Sequence, residues 1–178
     1  MKAWHHFVTI TKHRFLVMVN CFKVGLYWQG LTHDLSKYSP TEFLVGARYY
    51  QGTRSPNAAE REEKGYSTAW MHHKGRNRHH YEYWTDLNME TRTYCPLEMP
   101  RRYLAEMVMD RIAASKVYKG ASYTDAAPLE YVSKGHEARF MHPETSRQLV
   151  VLLTMLRDKG ENETFQFIRK VVLKGLPF

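Results

Sequence analysis

Residues 100–120 read PRRYLAEMVMDRIAASKVYKG, and their pattern decides the fold class. Pro100 suits the first turn of a helix, where its missing N–H costs nothing, and Gly120 suits the stop. Between them Tyr103, Leu104, Met107, Val108, Ile112, Ala114 and Val117 recur at the three- and four-residue spacing of an amphipathic α-helix. One residue breaks the apolar character. Asp110 shares a helical face with Tyr103, Met107, Ala113, Ala114 and Val117, so its carboxylate is aimed at apolar surroundings. A buried carboxylate is costly unless a cation or strong donors meet it. An Arg or Lys partner and a metal ion both answer that need, with Glu106, one turn earlier, as a supporting group.

Outward from this helix the signals stay helical, and strand signals are scarce. Apolar residues Phe15, Leu16, Val19, Phe22, Val24 and Leu26 predict a helix over 11–28, with Gly30 as its stop. Ser39-Pro40-Thr41-Glu42 has the form of a capping box and predicts a helix over 40–50. Residues 52–65 are polar, contain Ser55-Pro56-Asn57, and read as a loop with room for a short charged helical turn. Ser67 can cap a helix carrying Trp70, Met71 and His73, broken or bent at Lys74-Gly75-Arg76-Asn77. Residues 121–141 are mixed in character. Helices follow over 143–158 and, capped by Asn162, to about residue 173. The architecture expected is all-α, a single-domain bundle of six to eight helices spanning residues 1–178.

Composition narrows the class of partner. A chain of 178 residues with 25% charged residues can bury one sizeable core. Its longest apolar run, over 149–156, is far shorter than the roughly 20 residues needed to span a bilayer, so no membrane span is expected. The N-terminal residues lack the pattern of a signal peptide, and Cys21 and Cys95 need no disulfide framework, which fits a reducing cytoplasm. The net charge of +8 favours anionic partners, either nucleic acid or a phosphorylated small molecule. Basic residues come in small groups rather than a tail, which argues against a dedicated nucleic-acid arm.

Metal-ligand side chains stand out against this background. His33-Asp34-Leu35-Ser36-Lys37 puts an imidazole and a carboxylate side by side next to a cation. On a helix His13 shares a face with Ile10, Leu16, Val17 and Asn20, so it points inward. The pairs His72-His73 and His79-His80 gather several imidazoles, as a transition-metal site requires. In one straight helix they would lie two turns apart, so the break at 74–77 is needed to converge them. A competing reading of residues 76–84 is a basic, aromatic surface that grips a nucleic-acid strand through stacking.

In chain order, His13, His33-Asp34, His73 with His79 and His80, and Asp110 resemble the ligand pattern of the HD superfamily of metal-dependent phosphohydrolases. Lys37 stands at the offset from His33-Asp34 found in the HD-GYP branch, where extra histidines support a second ion. The Gly-Tyr-Pro signature of that branch is absent, and Tyr81-Glu82-Tyr83-Trp84 stands after the second pair, so cyclic dinucleotide hydrolysis is not expected. The strings over 30–37, 69–74 and 77–84 also look like a small bacterial and phage family to which no activity is attached.

The resemblance implies an HD-type helical bundle and a metal-dependent phosphohydrolase. The expected cofactor is one or two divalent transition ions, of manganese, iron, zinc, nickel or cobalt. Asp34 would bridge them, with His13, His33 and Asp110 completing one ion and His73, His79 and His80 serving the other. Water activated to hydroxide by the metal would attack a nucleotide or other phosphate ester, and Lys37 would hold a phosphate oxygen. Tyr49, Tyr50 and Trp84 are candidate base-stacking walls. Two rival readings are a di-iron oxygenase on the same scaffold and a non-enzymatic nucleic-acid-binding module.

Overall fold

The computed structural model describes residues 1–135 and 137–178. Among the described residues it has eight α-helices: α1 (Lys2–Val24), α2 (Tyr27–Thr32), α3 (Pro40–Tyr49), α4 (Pro56–Lys64), α5 (Thr68–Lys74), α6 (Arg101–Lys119), α7 (Ala127–Lys134) and α8 (Pro143–Lys170). The chain is therefore mostly helical. A small antiparallel hairpin, β1 (Thr85–Leu87) with β2 (Tyr94–Pro96), lies between α5 and α6. Its three-residue strands are too short to show a period of two.

The first helix differs from its expected bounds at both ends. It begins at Lys2, and it ends at Val24 because Gly25 takes a left-handed conformation with φ 89°. The N–H groups of Gly25 and Leu26 then bond the carbonyls of Phe22 and Cys21 at 3.1 and 2.9 Å, which closes the helix. Gly30 does not stop a helix but lies inside α2.

Three further differences have local causes. Residues 56–64 form α4, a full helix rather than a short turn, although few of its residues are apolar; only Ala59 and Glu60 are buried there. Part of the mixed stretch forms α7, which tucks Ala127, Pro128 and Val132 inward. The two C-terminal helices run together as α8, with a break at Gly160, where φ 78° and ψ 178° exclude most side chains. The break, rather than a cap at Asn162, separates its two halves.

The core lies where α1, α6 and α8 meet. Val17, Cys21 and Val24 pack with Leu104, Val108, Met109 and Ile112 and with Leu149, Leu152, Leu153 and Leu156. Residues 104–109 are all buried, so α6 is a central helix rather than a surface helix with one inward stripe. One side of α6 meets the apolar core, while Glu106 and Asp110, one turn apart, meet histidines from α1, from the α2 exit and from the loop after α5. Helices α3, α4 and α5 complete the fold, with α3 packed on both α1 and α5. No helix among the described residues is long and apolar enough to cross a membrane.

Candidate metal centre

Three local devices deliver the side chains. α1 carries His13 inward, on the face of Ile10 and Val17. α2 ends at Thr32, and Arg14 from α1 grips its exit, donating to the carbonyls of His33 at 2.7 Å and Leu31 at 3.1 Å. Asp34 then adopts φ 53° and ψ 26°, a left-handed conformation that costs a non-glycine residue about 1–2 kcal/mol. That turn presents the carboxylate to the interior instead of letting α2 continue. The third device is the end of α5. The N–H groups of Arg76 and Asn77 and the Asn77 side chain all donate to the His73 carbonyl, so the chain folds back and returns His79 and His80 to the side of His73.

The result is two groups of ligand atoms that share Asp34. His13, His33, Asp34 and Asp110 offer one set, and Asp34, His73, His79 and His80 offer the other. Asp34 Oδ2 lies 3.3 Å from His33 Nε2 and 3.6 Å from His13 Nε2. Asp34 Oδ1 lies 3.2 Å from His73 Nε2 and 3.4 Å from His79 Nε2. Asp110 Oδ1 closes the first group at 3.0 Å from His13 Nε2 and 3.5 Å from His33 Nε2. The structure thus brings together all seven residues singled out by type and order. His72 stays outside both groups and bonds Glu42.

The far edges of the imidazoles are held by carboxylates. Glu106 Oε1 accepts from His33 Nδ1 at 2.9 Å and from His79 Nδ1 at 3.1 Å. Glu42 accepts from His73 Nδ1 at 2.8 Å and from His72 Nδ1 at 2.6 Å. With protons drawn to Nδ1, the Nε2 lone pairs face the centre. Nε2 of His13, His33, His73, His79 and His80 and Asp34 Oδ1 are buried without a hydrogen-bond partner among the described residues, and Asp34 Oδ2 meets the Lys37 ammonium.

Electrostatics follow from burial and crowding. Burial alone would raise the carboxyl groups of Asp34 and Asp110, yet the surrounding imidazoles, with Lys37 beside Asp34, hold both well below the usual range. Burial opposes charge on His33, but Asp34, Asp110 and Glu106 outweigh it and raise that imidazole. His79 and His80 are lowered by burial and by neighbouring imidazoles, which favours the neutral form that coordinates metals. Lys37 sits with Nζ 2.6 Å from Asp34 Oδ2. It is partly exposed and forms an ion pair with the buried Asp34 at the edge of the centre rather than reaching out alone.

A cavity of about 590 Å³ opens over the site. His13, His73, His80 and Asp110 reach it from the centre, Lys37 and Arg111 add cations, and Tyr50, Trp70 and Tyr118 add aromatic surface. Of the three expected stacking walls only Tyr50 lines it. Tyr49 is buried and donates to Glu63, and Trp84 packs on Tyr103 with its Nε1 on the Arg78 carbonyl, so neither can serve as a wall.

The model of a family of unknown function, DUF5662, matches residues 2–155. The chain belongs to the DUF5662 family. No curated protein and no solved structure matches it. The part of the chain matched as DUF5662 contains every residue placed in the centre.

One residue of this DUF5662 site, Glu42, escapes sequence reading. Glu42 occupies the acidic position of an apparent capping box, but the Ser39 side chain makes no cap hydrogen bond and Glu42 turns inward to the histidines. A buried glutamate one turn from Gly46, on the face that meets α5, is the only available signal. Glu106, named from the sequence as a supporting group, accepts from His33 and His79. Sequence separation conceals both pairings.

Proposed function

We propose that this domain is a metal-dependent phosphohydrolase of the HD type that acts on a nucleotide or other phosphate ester. The observation that carries the reading is Asp34, whose two carboxylate oxygens face two different sets of buried imidazoles. Bonds of about 2.0–2.2 Å to a zinc-class ion place neighbouring ligand atoms roughly 3.3 Å apart in a tetrahedral arrangement. The distances of 3.0–3.6 Å around Asp34 and Asp110 match that spacing. Six buried polar atoms that point at one another without hydrogen bonds make poor sense as a core and good sense as ligands.

A divalent transition ion held there would supply Lewis-acid polarisation of a phosphoryl oxygen and bring the pKa of water toward neutrality. The chain's own groups do the rest. Glu106 and Glu42 fix the tautomers and ring positions of His33, His79 and His73. Lys37, already drawn to the centre by Asp34, is placed to balance the charge of a phosphate group arriving from the cavity. The aromatic part of the cavity wall accepts the remainder of the ester.

The test is metal analysis of the purified protein together with phosphate release from a panel of phosphomonoesters, phosphodiesters and nucleotides. Bound transition metal, phosphate release, and loss of both in Asp34→Asn are expected. A protein that takes up no transition metal overturns the reading. Iron loading with oxygen consumption and no phosphate release would transfer the same ligands to the oxygenase reading, which imidazole and carboxylate donors also suit.

A further inference from the structure

A second cleft, of about 350 Å³, lies on the other side of the histidines. Its lining includes His33, His79 and Glu106, so the centre separates it from the larger cavity. Its mouth carries Arg76, Arg78 and Arg102, all exposed. Several arginines elsewhere are paired with acids, among them Arg111 with Glu137, Arg147 with Glu144 and Arg157 with Asp158. In this cleft the pattern reverses. Arg76 donates to the His72 carbonyl, Arg78 donates to the Tyr103 hydroxyl and lies over the Tyr83 and Tyr103 rings, and none of the three arginines meets a carboxylate among the described residues. The lone acid of the cleft, Glu106, is buried and already accepts from two histidines.

Three guanidinium groups without carboxylates would repel one another on a small surface, unless an anion draws them together. Beside them Trp28, at 73% exposure, offers an indole face that no core packing requires. A forked cation set next to an open aromatic ring is the chemistry that recognises a phosphate joined to a planar base. The volume lies within the range of about 300–1,000 Å³ typical of small-molecule sites.

We propose that this cleft binds a nucleotide unit, its phosphate on Arg76, Arg78 and Arg102 and its base against Trp28. The site does not depend on the phosphohydrolase reading, because none of these four residues belongs to the metal centre. The unit can arrive as a free nucleotide or within a single strand, and the two sources share this chemistry.

The experiment uses the full chain with two probes: AMP, followed by isothermal titration calorimetry, and a fluorescent single-stranded oligothymidylate, followed by anisotropy. Arg76→Gln with Arg102→Gln should weaken binding about tenfold or more while metal content and melting temperature stay unchanged. For the oligonucleotide the salt slope should also become shallower by about 1.4, or about 0.7 for each arginine removed. Trp28→Leu should weaken both probes. Binding of AMP at wild-type strength by the double arginine variant, or by Trp28→Leu, overturns the site. So does loss of binding in Asp110→Asn with the arginine variant unaffected, since that places the ligand in the larger cavity. Binding of the strand with weak AMP binding identifies nucleic acid as the source, and comparable affinity for AMP identifies the free nucleotide; each requires loss on the arginine substitutions.

Discussion

Glu106 Oε1 lies 2.9 Å from His33 Nδ1, on the edge of the ring opposite Asp34. The same oxygen lies 3.1 Å from His79 Nδ1, so one carboxylate orients an imidazole from each ligand group. Replacing Glu106 by Gln removes its charge while keeping its shape. Transition-metal affinity should fall about 10–100-fold, the usual effect of losing a group behind a metal ligand. Chelator competition measures this, and unchanged affinity would show that Glu106 orients nothing.

Asp34 is the one residue common to both main ligand groups. Asp34→Asn should therefore reduce binding at both, whereas Asp110→Asn should affect chiefly the group containing His13 and His33. Metal stoichiometry measured on the two variants side by side separates these cases. Equal losses would show that Asp34 has no bridging role.

Lys37 Nζ lies 2.6 Å from Asp34 Oδ2, with Asp34 buried and Lys37 partly exposed. Truncating one partner of such a pair leaves the other charge uncompensated, at a typical cost of about 3–5 kcal/mol. Lys37→Ala should lower the urea midpoint of chelator-treated protein markedly, and metal loading should restore most of the loss because the ions then compensate Asp34. A variant equally destabilised with and without metal contradicts this account.

Glu60 links the polar faces of α4 and α5. Its carboxylate is buried, accepts from the hydroxyls of Ser67 and Thr68 at 2.7 Å each and from Lys64 at 3.2 Å, and titrates at about 2. Burial alone would push it upward, and these donors outweigh burial. A carboxylate depressed on folding contributes its full stability above its unfolded value, near 4.5, and loses that contribution as pH falls toward 2. Urea unfolding between pH 5.5 and 2.5, roughly spanning that window, should show this acid loss reduced in Glu60→Gln. Parallel pH profiles for the two proteins would remove Glu60 as its source.

Leu153 is fully buried where α8 meets the core. Leu153→Ala should cost about 2–5 kcal/mol through lost transfer energy and a residual cavity. Because α8 supplies no ligand, metal content per folded molecule should remain at the wild-type level.

The helical class of the chain was legible because it depends on local spacing. Apolar residues at three and four positions define α6, and Pro40 and Pro143 mark helix starts that the structure retains. Where few residues are apolar, as in α4, or an element has only three residues, as in β1 and β2, apolar spacing carried little information. The site divides in the same way. The adjacency of His33 and Asp34, the doubled histidines and an aspartate on an apolar face were visible as residue types with unmet needs.

The sequence by itself determined a mostly helical chain and a set of imidazoles and carboxylates placed where burial would require partners. Only tertiary structure decided which atoms meet. The left-handed turn at Asp34, the fold-back after α5 and the approach of α6 brought six residues around the Asp34 carboxylate, and assigned Glu42 and Glu106 to the histidines. The reason is physical: hydrophobic periodicity arises from neighbours along the chain, whereas a polar cluster is defined by distances across it, which packing of α1, α3, α5 and α6 alone sets.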